Sequence, residues 1–230
     1  MGVLASIFGS CVGPLSAMPN PHAALRTLVA EIESYVTGLR GPGIAEVLAG
    51  LRKWNTGTID PVPGRELPAC TDLDIALQAM DRPALARTIV EARPHLNWIT
   101  YDLYSRAEIG EHFADHHAFT SIIGGGSPIK AVDFDMGLFL IAPNVFYRDH
   151  YHAAPELYVP LTGPHGWRFK PGDPLVWKEA HEPVWNEPWQ PHATMMGKIP
   201  FLALYCWTRD TDLPAKIIAA PDWPKLETPS

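Results

Sequence analysis

Apolar positions recur at two different periods along this 230-residue chain. Over residues 21–39, Leu25, Leu28, Val29, Ile32 and Val36 fall at three- and four-residue spacing. That spacing predicts an amphipathic helix, and Pro21 suits its first turn. A second helix is expected over residues 44–53, ending near Gly57. Residues 70–92 carry a third helical pattern: Thr71 is placed to cap it, Asp72 and Asp74 fall in its first turn, and Arg82-Pro83 divides it. Another short helix is expected over residues 107–117, ahead of a glycine-rich turn at residues 124–128.

Beyond that turn the period drops to two. Residues 131–142 alternate and then run continuously apolar, as a strand entering a sandwich or barrel does. Strand patterns follow over residues 156–161, 166–169, 174–177, 192–196 and 201–207. The turns Thr162-Gly163-Pro164, Lys170-Pro171-Gly172-Asp173 and Gly197-Lys198 separate some of them. The chain after Asp212 reads as a proline-rich tail with one short strand at residues 216–220. The pattern predicts an α+β, mainly β fold: a helical layer over residues 1–127 folded onto a small barrel or sandwich over residues 128–230, as one integrated domain.

Composition sharpens this division. Of 24 prolines, 15 lie from Pro128 onward, where long helices would hardly tolerate them, and five of eight tryptophans lie between Trp167 and Trp207. Apolar residues make up 47% of the chain and charged residues 19%, enough to fill a large core. The balance of 18 basic against 25 acidic residues gives a net charge of −7 without a basic cluster, which argues against a nucleic-acid partner. Cys11, Cys70 and Cys206 are odd in number and widely spaced, fitting reduced thiols in a cytoplasmic protein. No run reaches the ~18 apolar residues a membrane helix needs. The apolar start of the chain has no basic residue before Arg26 and is interrupted by Gly9 and Gly13, so it is not expected to be an export signal.

The densest chemistry lies in residues 147–163, YRDHYHAAPELYVPLTG, where His150, His152, Glu156 and Tyr158 follow the spacing H-x-H-x3-E-x-Y. Residues two apart on a strand share a face, so both imidazoles project together, and a short loop can return Glu156 and Tyr158 to that face. Two imidazoles and a carboxylate suit Fe(II), Mn(II), Ni(II) or Zn(II), with positions left for substrate or water. His192, opening a strand after a Trp/Pro-rich loop, is the candidate fourth ligand.

This arrangement resembles the cupin superfamily, with H-x-H-x3-E and the trailing Gly163 as its first motif and one His from a second. The second motif here, Gln190-Pro191-His192, departs from that superfamily's common wording. Tyr147 before the first His, Tyr158 after the Glu, and the segment WITYDLYSRAEIGEHFADHHAFTSIIGGG are similar to the cupin-type dimethylsulfoniopropionate lyases, over roughly residues 98–210. The resemblance implies a cupin double-stranded β-helix (jelly-roll) barrel capped by N-terminal helices. It implies one divalent transition metal held by His152, Glu156 and His192, with His150 as an additional ligand. It further implies β-elimination of the substrate to dimethyl sulfide and acrylate, with Tyr158 beside the metal and Tyr147 in the pocket as the catalytic tyrosines. Trp207 falls where the family keeps a substrate-contacting aromatic, and Tyr101 and Tyr104 belong to the segment before the barrel. A homodimer paired through sheet edges or extensions is compatible with this family.

The residue types fit such chemistry. A metal-bound carboxylate acidifies its α-proton, a tyrosine beside a cation can act as base, and aromatic faces bind a sulfonium. Two other readings stay open: a different cupin metalloenzyme acting on another small carboxylate, and a non-catalytic, metal-stabilised binding protein. His112, His116 and His117 read as a structural or lid element, and His165 and His181 as surface residues. The glycines at 124–126 form a turn, not a phosphate cradle.

Overall fold

The computed structural model describes residues 20–228. Helix α1 (Pro21–Thr37) begins where Asn20 Oδ1 accepts the backbone N–H groups of His22 (3.0 Å) and Ala23 (3.4 Å), and Pro21 occupies the first turn. Its buried face is Leu25, Leu28, Val29, Ile32 and Val36, the stripe that the periodicity marks. Helices α2 (Ile44–Trp54), α3 (Leu73–Ala79) and α4 (Pro83–Ala92) follow, with the break before Pro83 as expected. Thr71 does not cap α3. It lies in a 3-10 turn at Pro68–Asp72 and donates its hydroxyl to the Pro68 carbonyl (2.9 Å).

The expected helix over residues 107–117 is two single turns, α5 (Arg106–Ile109) and α6 (Glu111–Asp115). Gly110, at φ 94, separates them in a conformation that L side chains rarely adopt. Ser105 and Glu108 cap α5 reciprocally. Strand β1 (His117–Gly124) then starts upstream of residue 128, because residues 117–124 bury almost every side chain and pair along β3 (Asp135–Ile141).

The remaining strands are β2 (Ile129–Lys130), β4 (Phe146–Tyr151), β5 (Glu156–Pro160), β6 (His165–Arg168), β7 (Val176–Lys178), β8 (Val184–Asn186), β9 (His192–Met195), β10 (Phe201–Trp207) and β11 (Lys216–Ile217). One sheet has the order β2-β1-β3-β10-β5-β8 and the other β11-β4-β9-β6-β7, and every named pairing except β1 with β2 is antiparallel. The result is the cupin-type barrel with a helical layer.

Period-two alternation gives the large sheet two different faces. Met136, Leu138, Leu140, Leu157, Val159, Leu202 and Leu204 point outward and pack with the apolar stripes of α1 to α4. Phe139, Ile141, Tyr158, Ala203 and Tyr205 point inward, with Tyr147, Trp167 and Phe201, into the barrel. Burying both faces explains why β3, β5 and β10 read as nearly continuous apolar runs. The inward face is left to build the site.

A short helix α7 (Trp223–Leu226) fastens the tail to the barrel. Buried Arg168 forms ion pairs with Asp149 and Asp222, and Trp223 Nε1–H donates to Asp149 Oδ2 (2.7 Å). Cys70 and Cys206 are buried and unpaired, while Cys11 and the apolar N-terminal stretch lie outside the described residues. Among the described residues no helix is long and apolar enough to cross a membrane.

Candidate metal centre and active-site cavity

His150 lies on β4 directly opposite His192 on β9, and His152 follows one residue after β4 ends. The chain then turns through residues 153–155 so that Glu156 opens β5. All four residues are at most 2% exposed, and the ligating atoms of the three histidines lie within 4.8 Å of one another.

Each ring is fixed from behind by the same device. The Nδ1 of His150 bonds the Arg148 carbonyl (2.8 Å), that of His152 the Ala154 carbonyl (2.7 Å), and that of His192 the Gln190 carbonyl (3.0 Å). A carbonyl only accepts, so each Nδ1 carries the proton and each Nε2 has its lone pair free, the second-shell arrangement that orients metal-ligating imidazoles. His192 Nε2 is buried without a hydrogen-bond partner. Glu156 Oε2 lies 3.1 Å from His152 Nε2 and 3.4 Å from His192 Nε2. Two donors bound to one ion at about 2.1 Å stand roughly 3.0–3.5 Å apart, so the residues present fit a divalent transition metal.

The electrostatics agree with that donor set. Burial pushes His150 well below the usual imidazole range, and His192 and His152 beside it push the same way, keeping it neutral. Burial opposes ionisation of Glu156, but positive charge at the His152 and His192 nitrogens, the place a bound cation would take, outweighs it and holds the carboxyl well below its ordinary range. Two donors from the barrel wall complete the Glu156 shell: Trp207 Nε1–H to Oε1 (2.7 Å) and Asn186 Nδ2–H to Oε2 (3.1 Å). Asn186 escaped the sequence reading because its role exists only through the register that sets it opposite Glu156 across β5 and β8.

A cavity of about 350 Å³ adjoins this cluster, with Glu156, Tyr147 and Trp207 in its wall. Tyr101, Tyr104, Phe119, Phe139 and Tyr205 supply most of the remaining surface, and residues 99–104 and 211–215 roof it. Among the residues lining it are Asp102, Asp135 and Asp212 but no Lys or Arg.

The tyrosines divide by position. Tyr147 lines the cavity, stacks on His150 (4.2 Å between ring centroids) and bonds through its hydroxyl to Tyr101. Tyr104 Oη–H donates to the Ala215 carbonyl (2.8 Å), tying the two roof segments together. Tyr158 is not in the cavity wall. Its ring packs among Phe139, Trp167 and Phe201, and its hydroxyl reaches Glu156. Burial raises the phenols of Tyr101, Tyr147 and Tyr158 above their ordinary value, and the Glu156 carboxylate adds to this. Trp207 stacks over His152 at 4.6 Å.

Two histidines differ from expectation. His165 is fully buried, not on the surface: its Nδ1 accepts the Gly197 N–H (3.1 Å), so a turn glycine pulls the ring inside. His181 is partly buried between Tyr35 and Asp81 and does not stand free in solvent. His117, read as structural or lid, has a structural place. Its Nδ1–H donates to the Phe113 carbonyl (2.7 Å) and its Nε2 accepts the Tyr101 N–H (3.0 Å), bolting the roof to the barrel. That pattern requires neutral imidazole, and burial lowers its pKa to about 4.

Residues 46–203 match the dimethylsulfoniopropionate lyase family model. A curated relative, the dimethylsulfoniopropionate lyase DddQ of Ruegeria pomeroyi, is 24% identical over 216 residues, spanning 89% of this chain and 98% of the relative. The crystal structure of DddQ from Ruegeria pomeroyi DSS-3 superposes with a TM-score of 0.67 at 22% identity, over 85% of this chain and 96% of that one. A structure described with the DMSP lyases RdDddP and RnDddQII gives 0.66 at 21% identity, over 87% and 100%. With the family match covering more than half of its residues, this chain belongs to the dimethylsulfoniopropionate lyase family.

Proposed function

We propose that the protein is a metal-dependent carbon–sulfur lyase that cleaves dimethylsulfoniopropionate into dimethyl sulfide and acrylate by β-elimination. The observation that carries this reading is a cluster of three imidazoles and one carboxylate beside an aromatic cavity whose charged wall residues are all acidic. Such a wall suits a zwitterion with a cationic end. With no Lys or Arg in the lining, the carboxylate end has no cationic side chain to meet it there.

His150, His152, His192 and Glu156 would hold the metal. When bound, a divalent cation supplies a Lewis acid for the substrate carboxylate and a positive charge that favours a nearby phenolate. The residues of the chain do the rest. Trp207, Tyr101 and Tyr104 offer aromatic faces to the sulfonium, a contact worth ~0.5–2 kcal/mol each. Tyr147 Oη, in the cavity wall, takes the proton from the carbon next to the carboxylate. The C–H pair becomes the new C=C bond, the C–S bond breaks, and its pair leaves on sulfur as neutral dimethyl sulfide. Tyr101, hydrogen-bonded to Tyr147, holds the Tyr147 hydroxyl in place. Tyr158 orients Glu156 from behind the wall. The roof and the stacked rings of Phe113 and Tyr147 (4.3 Å) keep bulk water out.

Headspace detection of dimethyl sulfide from purified protein and dimethylsulfoniopropionate tests the assignment. Release that is lost in Tyr147→Phe, with metal content unchanged, supports it. No dimethyl sulfide under any divalent metal loading overturns it.

A further inference from the structure

Asp135 opens β3, and register sets it in one row with the metal-side residues: Asp135 opposite Trp207, Trp207 opposite Glu156. Its side chain shares the inward face with Phe139 and lines the same cavity as Trp207 and Glu156. Unlike Glu156, it has no imidazole or indole partner. Ser121 Oγ–H donates to Oδ2 (3.2 Å), and Tyr205 Oη–H reaches Oδ1 at 3.5 Å while also bonding Ser121 (2.7 Å). Among the described residues Asp135 enters no ion pair, so a carboxylate is held in a largely apolar chamber by two hydroxyls and the Met136 backbone N–H.

We propose that Asp135 is the counter-ion for the cationic end of the substrate, an onium group, and that it determines specificity for zwitterions over simple acids at this site. The inference deepens the lyase reading above and rests on it. Neighbouring strands stand about 4.8 Å apart, so β3 and β5 hold the two carboxylates on backbones about 10 Å apart, with Trp207 between them. A propionate bearing sulfur spans about 4 Å from carboxylate carbon to sulfur and fits between side chains reaching in from both strands. Its carboxylate then faces the histidine cluster, and its sulfonium lies on the Trp207 face with Asp135 at the far end. The charges balance: the substrate brings the cation that Asp135 lacks. When elimination turns that cation into neutral dimethyl sulfide, the attraction vanishes and the product is released. Desolvation, which raises the Asp135 carboxyl to about 6 against its two hydroxyl donors, is the cost an incoming cation would relieve.

Asp135→Asn keeps the shape: its amide oxygen can accept from Ser121, and its NH2 can donate to Tyr205 Oη. With metal-loaded enzyme at pH 8, KM for dimethylsulfoniopropionate should rise roughly 10- to 100-fold, with kcat within about threefold. Inhibition by propionate, which lacks the onium, should stay within about twofold. Inhibition by the trimethylammonium analogue of the substrate should weaken about as much as KM rises. Asp135→Glu should recover part of the KM. An unchanged KM, a loss of kcat at constant KM, or equal weakening of propionate and the trimethylammonium analogue would each overturn the assignment. Direct binding of the trimethylammonium analogue, read by tryptophan fluorescence in both proteins, decides the point without turnover. A wild type that releases no dimethyl sulfide but binds this cation through Asp135 would refute the lyase reading alone.

Discussion

Buried Glu156 and half-buried Asp135 are carboxylates in the same row of the same sheet, and their surroundings drive them in opposite directions. Glu156 is met by an indole N–H, an amide N–H and positive charge at the histidine cluster, and it stays ionised despite burial. Asp135 is met by hydroxyls and a backbone N–H, and burial wins, raising it to about 6. One end of the cavity therefore has the donors to hold a cation and the other is left short of one. A polarised chamber of this kind orders a zwitterion along its length before any bond breaks, which is the positioning that an elimination needs.

Four changes would break or sharpen that contrast. The largest effect is expected for His192→Ala, which deletes the unpartnered Nε2. Metal content should fall to a small fraction of one per chain and dimethyl sulfide release by about a thousandfold or more, and retention of both would remove the metal end from the account. Tyr147→Phe should lower kcat by roughly 10²- to 10⁴-fold with little change in KM, measured on protein of equal metal content.

Asp135→Asn should stabilise the substrate-free protein by roughly 2–3 kcal/mol at pH 8, measured by denaturant titration. The folded value of about 6 lies above the ordinary 3.8, so protons favour the folded state. The burial penalty is absent below about pH 4 and fully present above about pH 6, and the gain from the variant should fade over that window. A gain independent of pH would point to packing instead. Smallest is Trp207→Phe, which keeps an aromatic face and removes the donor to Glu156 Oε1. A cost of about 1 kcal/mol in kcat/KM is expected, seen as a several-fold drop.

Some of this was legible in the residues and some was not. The stripe of α1 needs only a 3.6 period, and the H-x-H-x3-E spacing needs only strand alternation and a turn, so both could be read locally. Strand β1 was hidden because the polar spacing of EHFADHH at its start imitates a helix, whereas its burial comes from pairing with β3 and with Ile99 beside Phe119. His165 looked like a turn residue, and only the Gly197 N–H, 32 positions away, shows why it is buried. Asn186 and Asp135 carry no motif of their own. Each owes its place to register with β5 and β10, a long-range property that no local window contains. The alternation of Asp133 and Asp135 with Phe134 and Met136 hinted at a half-polar strand, but not at which side faced a cavity.

The most direct test follows dimethyl sulfide and acrylate together, from the purified protein with its metal, after chelation, and after a divalent transition metal is returned. The account predicts equal amounts of the two products, loss of both on chelation, and recovery on reloading. Full release from metal-stripped protein, or consumption of substrate without dimethyl sulfide, would contradict it.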